Sequence, residues 1–161
     1  MDHGISMLSP GRVASIAPDL MLRTMDRHPH VQRALWWATL VDEAILREWL
    51  VNLGQRDAHD SLAHLLCQMW LRMEAIGLAE EGKPFSLPLT QIQLAETLGV
   101  TAVAVNRALQ RLREDGLISL DRRSLTVHDP ERLAAASSFD ANYLHLDAAA
   151  RVRGSEGPYT Q

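Results

Sequence analysis

The stretch that decides the fold is "TLGVTAVAVNRALQRLREDG", which runs from Thr97 to Gly116. Ahead of it, Thr90 can cap a helix over "QIQLAETLG", and Gly99 ends that helix. The turn is only three residues long, and its last residue, Thr101, can cap a second helix. A helix, a short turn and a second helix form the layout in which the second helix enters the major groove of DNA. The stretch therefore predicts a DNA-binding helix-turn-helix.

The second helix is predicted to have a buried face and an exposed face. At about 100° per residue, one apolar stripe contains Val105, Ala108, Leu109 and Leu112. The opposite face carries Val103, Asn106, Arg107, Gln110 and Glu114. Val103 and its neighbour Ala102 stand at the end of the helix that meets base edges, yet neither side chain can form a hydrogen bond. The helix is therefore expected to read DNA with few polar contacts near its start.

A β-hairpin is predicted after this helix. Leu117 to Leu120 and Ser124 to His128 are short β-rich runs, and residues 121–123 form the turn between them. Such a hairpin would be the wing of a winged helix. Between Val100 and His128, five arginines and three acidic residues give a local charge of 5 − 3 = +2, although the whole chain carries −4. This local charge suits a phosphate-contacting surface, and the alternative is an ordinary solvated basic face.

A long helix is predicted from Val31 to Leu53, where the sequence contains no Gly or Pro. One seam with alternating steps of four and three is typical of a paired helix, and it supplies the dimerisation candidates Val31, Leu35, Ala38, Asp42, Ile45 and Trp49. A second apolar row predicts another packing partner and comprises Trp36, Leu40, Leu46, Leu50 and Leu53. A buried core helix is the alternative. Gly54 is expected to interrupt the helix and Asp57 to cap the next one, which places a hinge near residues 53–57.

Composition excludes several classes of protein. With 161 residues and 47% apolar content, the chain can form a hydrophobic core. Its single cysteine, Cys67, excludes an internal disulfide and a cysteine-ligated cluster. The start resembles no signal peptide and no apolar run is long enough to cross a bilayer, so a cytoplasmic protein without a membrane partner is expected. The histidine spacings favour no metal site, and we find no acid/base pair, nucleophile or cofactor loop, so we expect neither an enzyme nor a bound cofactor.

These motifs resemble the Crp/Fnr family of bacterial transcription regulators. "PLTQIQLAETLGVTAVAVNRALQRLREDGLISLDRRSLTVHDPERLAA" is similar to that family's DNA-binding domain along almost its whole length. "HPHVQRALWWATLVDEAILREWLVNLGQRDAHDSLAHLLCQMWLRM" is similar to its dimer helix, hinge and following helix. Family members usually begin with a β-roll sensor, and here only its last part would be present. The chain is then either the end of a longer gene product or a natural short form without most of its sensor, so no cyclic-nucleotide site is carried over.

The resemblance also implies roles for individual residues. Well-studied members place an arginine and a glutamate at the positions of Ala102 and Val103, whereas a later family arginine matches Arg107. We expect Arg107 to contact guanine or phosphate, Asn106 to contact adenine or backbone, and Val103 to pack on a thymine methyl group. The full DNA-binding set is expected to be Thr101, Ala102, Val103, Asn106, Arg107, Gln110, Arg111 and Arg123, with the last three on phosphates.

We therefore predict a mainly α fold in which a long dimerisation helix precedes a winged helix-turn-helix domain. The predicted segments are a β-roll remnant and short helix (1–28), the dimer helix and hinge (29–56), the DNA-binding domain (57–146) and a disordered tail (147–161). The expected function is transcription regulation by a homodimer on an imperfect DNA palindrome, with RNA polymerase as a candidate partner. The alternative is a sensorless interaction module that pairs with a full-length relative.

Overall fold

A computed structural model describes residues 7–146 of the chain. In chain order the helices and strands are α1 (Pro18–Arg27), α2 (Pro29–Gln55), α3 (Ala58–Glu74), β1 (Pro84–Ser86), α4 (Gln91–Leu98), α5 (Ala102–Glu114), β2 (Ile118–Asp121), β3 (Ser124–Val127) and α6 (Pro130–Ala136), followed by a 3-10 turn at Ala141–Leu144. The fold is mainly α, as predicted. Within residues 7–146, no helix is both long and apolar enough to cross a membrane.

The β-roll remnant expected in residues 1–28 is not seen in the described part of that segment. Residues 7–17 contain neither helix nor strand, and residues 1–6 lie outside the described residues, as does the predicted tail at 147–161. A strand needs a hydrogen-bonded neighbour, and the three described strands pair only among themselves. The short helix expected here is α1, which starts with Pro18 in its first turn and packs along α2 without burying any residue.

The long helix is continuous through Gly54, so the prediction that Gly54 interrupts it was wrong. Helix α2 spans 27 residues and ends at Gln55, and Arg56 has extended backbone angles. A glycine inside a helix costs only about 1 kcal/mol relative to alanine, which the rest of a long helix can offset. The predicted cap of α3 is confirmed, because the Asp57 carboxylate accepts the backbone N–H groups of His59 and Asp60, both at 2.9 Å.

The core of the C-terminal part forms around α3, which packs against α4, α5 and α6. The sheet is antiparallel in the order β1-β3-β2, and β2 contacts α5. Fully buried leucines come from every layer, including Leu62, Leu66, Leu109, Leu112 and Leu125. Each such side chain contributes roughly 1.5–3 kcal/mol when it leaves water. This core holds α5 and the β2-β3 hairpin in place relative to α3.

A buried polar cluster lies where α2 meets α3. His64 is fully buried, and its Nδ1 lies 3.0 Å from Asn52 Nδ2. Arg56 donates from Nη1 to Asn52 Oδ1 at 2.8 Å and from Nη2 to Glu48 Oε1 at 2.7 Å. Since Asn52 Oδ1 is occupied by Arg56, Asn52 must donate to His64, and the network assigns the His64 proton to Nε2. That nitrogen lies 3.3 Å from Glu48 Oε1.

This arrangement keeps His64 neutral. Burial, and then the positive charge of Arg56, lower the pKa of His64 to about 4, and Glu48 opposes the shift only in part. A second proton would also have to sit on Nδ1, where it would face the N–H of Asn52. The cluster is therefore built for an uncharged imidazole.

Lowering the pH is expected to destabilise the protein through His64. The folded-state pKa lies below the unfolded value of 6.5, so the unfolded chain binds the extra proton first and stability falls as pH drops from about 6.5 to 4. Between pH 7 and pH 5 we expect a loss of about 2 kcal/mol in urea unfolding. His64→Gln, which does not titrate, should remove most of this slope. An equal slope in both proteins would contradict the neutral, buried imidazole.

Candidate nucleic-acid interface

The two helices of the helix-turn-helix are capped as the sequence predicts. Thr90 and Gln93 form a reciprocal capping box at the start of α4, and Gly99 ends that helix with a φ of 65°. Thr101 then caps α5, its Oγ1 accepting the backbone N–H of Ala104 at 3.1 Å. The turn between the helices is therefore fixed by residues 99–101, and it sets the direction in which α5 leaves it.

The predicted division of α5 into two faces is confirmed. The stripe of Val105, Ala108, Leu109 and Leu112 is buried. Val103 is 62% exposed, and the side chains of Thr101, Ala102, Arg107, Gln110 and Arg111 are also exposed. Since the apolar face anchors the helix in the core, its other face is held open to solvent as one surface.

Asn106 is the exception on this surface because it is half-buried. Its Nδ2 donates to Oε1 of Gln91 at 3.4 Å, and Gln91 is the first residue of α4. The contact joins α5 to the start of α4. Gln91 was not among the predicted site residues, because a polar residue at the start of a short helix has no distinctive spacing in the sequence.

The predicted hairpin is present as β2 and β3, with Asp121 opposite Ser124 and a two-residue turn at Arg122 and Arg123. Arg122 has a φ of 51°, a left-handed conformation that suits a tight hairpin turn. Both arginines are exposed at the tip. Arg113 Nη2 donates to the Leu120 carbonyl at 3.2 Å, which ties the wing to α5.

A cleft of about 360 Å³ separates the start of α4 from the wing. Its lining contains three arginines and no acidic side chain: Leu89, Thr90, Gln91, Leu94, Arg113, Leu120, Arg122 and Arg123. The positive end of the α4 dipole adds to this charge. Arg123 and Gln91 both line the cleft, and Gln91 contacts Asn106, so the cleft connects the wing to α5 through the start of α4. The sequence-based candidate set omitted Arg113 and Arg122, although the count of local charge included them.

The predicted dimerisation seam is divided by the fold. Val31, Ile45 and Trp49 are half-buried by their own chain, whereas Leu35, Ala38 and Asp42 are exposed. The chain folds back at residues 56–57, so the last turns of α2 direct Trp49 towards the core and bury Asn52. The seam as a whole therefore does not form one free face.

The second apolar row of α2 is exposed along its length. The exposed fractions are 64% for Trp36, 49% for Leu40, 65% for Leu46, 69% for Leu50 and 61% for Leu53. At 100° per residue these five side chains lie within about 140° of one another. We call them the exposed row. Several large apolar side chains exposed on one side of a helix are typical of an interaction surface.

One cluster of possible metal-ligand atoms lies at the start of α3. Its atoms are within 4.8 Å of one another and belong to Asp57, His59 and Asp60, but the Asp57 carboxylate already caps α3. Burial raises the pKa of Cys67 to about 12, so this thiol stays protonated and is a poor nucleophile.

Known proteins are similar in sequence to this chain. The family model of the Crp-like helix-turn-helix domain matches residues 60–136. Over 121 residues the chain is 36% identical to the transcriptional activator protein FnrL of Cereibacter sphaeroides, which covers 73% of this chain and 49% of that protein. The chain belongs to the Crp/Fnr family. A probable transcriptional activator of Rhizobium leguminosarum bv. viciae is 32% identical over 116 residues, covering 71% of this chain and 48% of that protein.

The fold is that of the same family. The structure of FixK2 from Bradyrhizobium japonicum superimposes with a TM-score of 0.64 at 24% identity, covering 75% of this chain and 59% of that one. The chain spans about half the length of the two relatives named above. The matched family domain includes α4, α5 and the wing, which are the elements that carry the exposed basic surface described here.

Proposed function

We propose that this protein binds double-stranded DNA in a sequence-specific manner and regulates transcription in the cytoplasm as a homodimer. The observation that carries the proposal is the continuous exposed surface formed by α5, the start of α4 and the arginine-tipped wing. It has the shape and charge that a major-groove helix with flanking phosphate contacts requires. Membership in a family of transcription regulators supports the same conclusion.

Base readout would come from the first two turns of α5. The guanidinium of Arg107 is exposed and can span O6 and N7 of guanine. Val103 offers an apolar surface for a thymine methyl group. Asn106 Nδ2 donates to Gln91, and its amide oxygen would remain available for a contact with DNA. Discrimination would then rest on two polar side chains, on methyl contacts and on DNA shape.

Phosphate contacts would flank this readout on both sides. Gln110 and Arg111 are exposed further along α5, and Arg123 stands at the wing tip. The cleft between α4 and the wing adds Arg113 and Arg122 to the charge available there. Neutralising several phosphates releases counterions, so binding is expected to weaken steeply as salt increases.

Replacing Arg107 with alanine is expected to weaken binding to a selected duplex by about 5- to 150-fold, the equivalent of roughly 1–3 kcal/mol for one base contact. Preference at one base position of each half-site should relax as well. Fluorescence anisotropy with wild-type-selected and scrambled duplexes measures both effects. Arg27→Ala, which removes an arginine at the end of α1, is the matched control and should change little. An unaltered preference in Arg107→Ala would exclude this side chain from base readout.

The homodimer would form along the exposed row of α2. Five large apolar side chains on one face of a long helix favour pairing with another helix. Glu43 and Arg47 form an ion pair at 2.6 Å on the same side of α2, so this pair would lie within the dimer contact. Two-fold pairing would present two recognition helices to half-sites about one helical turn apart.

The exposed row also suits pairing with a longer relative of the family, which would make this chain a modulator without strong DNA binding of its own. Sedimentation of the isolated protein separates the two functions. A dimer at micromolar concentration supports the homodimeric regulator. A monomer that becomes a dimer only when a longer relative is added supports the modulator. RNA polymerase, as a partner of the DNA-bound regulator, is a further part of the proposal that promoter assays would test.

A further inference from the structure

The two-residue connection between α2 and α3 does not by itself determine the angle between these helices. Only Arg56 and Asp57 separate the last residue of α2 from the first residue of α3, and both have extended backbone angles. Element-terminal residues of this kind are where hinge rotation takes place. The direction of the DNA-binding surface relative to α2 must therefore be set by side-chain contacts across the hinge.

The buried cluster supplies one set of such contacts. Glu48 and Asn52 from α2 both face His64 from α3, at 3.3 Å and 3.0 Å. Arg56, from the hinge itself, holds both α2 residues through its guanidinium. Since removing one partner would leave the other polar groups buried without partners, the arrangement resists rotation of one helix on the other.

The chain after α6 supplies a second set. Ser138 has a φ of 49°, and beyond it the chain returns to the hinge. Phe139 packs on the His64 ring with centroids 4.8 Å apart, and the Tyr143 ring stacks on it at 5.9 Å with an interplanar angle of 8°. The Tyr143 hydroxyl donates to Gln68 Oε1 of α3 at 3.1 Å. We call residues 139–146 the strap.

The strap also reaches α2 directly. His145 meets the Trp37 ring of α2 edge-on, with centroids 5.2 Å apart. Trp37 lies eleven residues before Glu48, the first member of the polar cluster. The 3-10 turn Ala141–Leu144 packs along α2, and Leu144 is buried there. One short segment thus contacts α2 and α3 together. Phe139 packs against the main hydrophobic core, whereas the buried Leu144 is not part of that core.

We propose that the strap and the His64 cluster are positioning elements, which hold the recognition helix at one angle to α2 and thereby set the half-site spacing that the dimer accepts. The proposal rests on the proposed function, because spacing has meaning only for a dimer on DNA. Neither Tyr143 nor His64 contacts the DNA-binding surface, so both act through the hinge.

Two truncations separate positioning from folding and from DNA contact. Ending the chain after Ser138 removes the strap, whereas ending it after Leu146 removes only residues 147–161 and is the matched control. Duplexes selected by the wild type are remade with one half-site and with the spacer lengthened by two or five base pairs. We expect the Ser138 truncation to bind a single half-site with unchanged affinity. The ratio of its affinities for the selected spacing and for the lengthened spacers should fall by about tenfold. The Leu146 truncation should behave as the wild type.

Hydrogen exchange provides a readout that does not depend on DNA. Amides at residues 52–57 should exchange at least about tenfold faster in the Ser138 truncation, while those of α5 keep their protection. If the truncated chain does not fold, Tyr143→Ala replaces it, and Tyr143→Phe, which keeps the ring on His64, should restore most of the protection. Unchanged exchange at the hinge, or unchanged spacing preference, would overturn the proposal. A wild type that selects no sequence refutes the proposed function, yet the exchange experiment still tests the strap.

Discussion

Replacing Leu50 with glutamate is expected to make the protein monomeric and to weaken its binding to a duplex with two half-sites by roughly 100-fold or more. Leu50 is 69% exposed and lies between Leu46 and Leu53 in the exposed row, so a charge there would face its own copy across a two-fold axis. Binding of the second half-site is then no longer intramolecular, which removes the gain from effective concentration. Sedimentation and anisotropy titrations measure the two effects.

Ala38→Glu is the matched comparison because it tests the other seam of the same helix. Ala38 is exposed and belongs to the predicted dimerisation seam, together with Leu35 and Asp42. Pairing through the exposed row predicts that Ala38→Glu stays dimeric. A monomeric Ala38→Glu beside a dimeric Leu50→Glu would assign the dimer to the seam predicted from the 3.5-residue repeat and would contradict the row.

Replacing Leu109 with alanine is expected to destabilise the protein by about 2–5 kcal/mol. Leu109 is fully buried on the core face of α5, so truncation leaves a cavity between the recognition helix and its support. Because the native fold of a small domain is only about 5–15 kcal/mol more stable than its unfolded chain, a loss of this size is large. Urea unfolding at a fixed protein concentration measures it.

Val103→Ala is the control on the same helix, since Val103 is 62% exposed and contributes little to the core. It should unfold at nearly the wild-type urea concentration. It should nevertheless weaken discrimination at a thymine, if its methyl groups contact that base. A large stability loss in Val103→Ala, or none in Leu109→Ala, would mean that the two faces of α5 have been assigned the wrong way round.

The helix-turn-helix could be predicted in detail because each of its elements is encoded locally. Thr90 and Thr101 cap helices, Gly99 ends one, and a 3.6-residue stripe marks the buried side of α5. The wing could be predicted for the same reason, since β-rich runs flank a short polar turn. None of these features depends on contacts between distant parts of the chain.

The orientation of α2 could not be predicted in this way. Two apolar rows run along the helix, and sequence periodicity alone does not say which of them faces the chain's own core. The fold decides this at the hinge, where Asn52 and Trp49 turn inwards and Leu50 remains outside. The β-roll remnant expected before α1 forms no strand in residues 7–17, because similarity to the last strands of a roll does not supply the neighbours with which those strands would pair.

The hinge cluster was missed because its members are far apart in the sequence and individually ordinary. The spacing of His59 and His64, five residues apart, does not place them on one face of a helix as a shared metal ion would require. The partners of His64 include Asn52, twelve residues before it, and Tyr143, 79 residues after it. The available clue was a polar residue inside the apolar run "SLAHLLCQMW", which requires a buried hydrogen-bond partner.

Selection from a random pool of double-stranded DNA tests the central claim most directly. The purified wild type should enrich an imperfect palindrome with half-sites about one helical turn apart, and its affinity for that duplex should exceed that for unrelated DNA by at least about a thousandfold at physiological salt. Enrichment should decline when Arg107→Ala replaces the wild type. A wild type that enriches no sequence, and binds every duplex equally at each salt concentration, would contradict the proposal that this surface reads DNA.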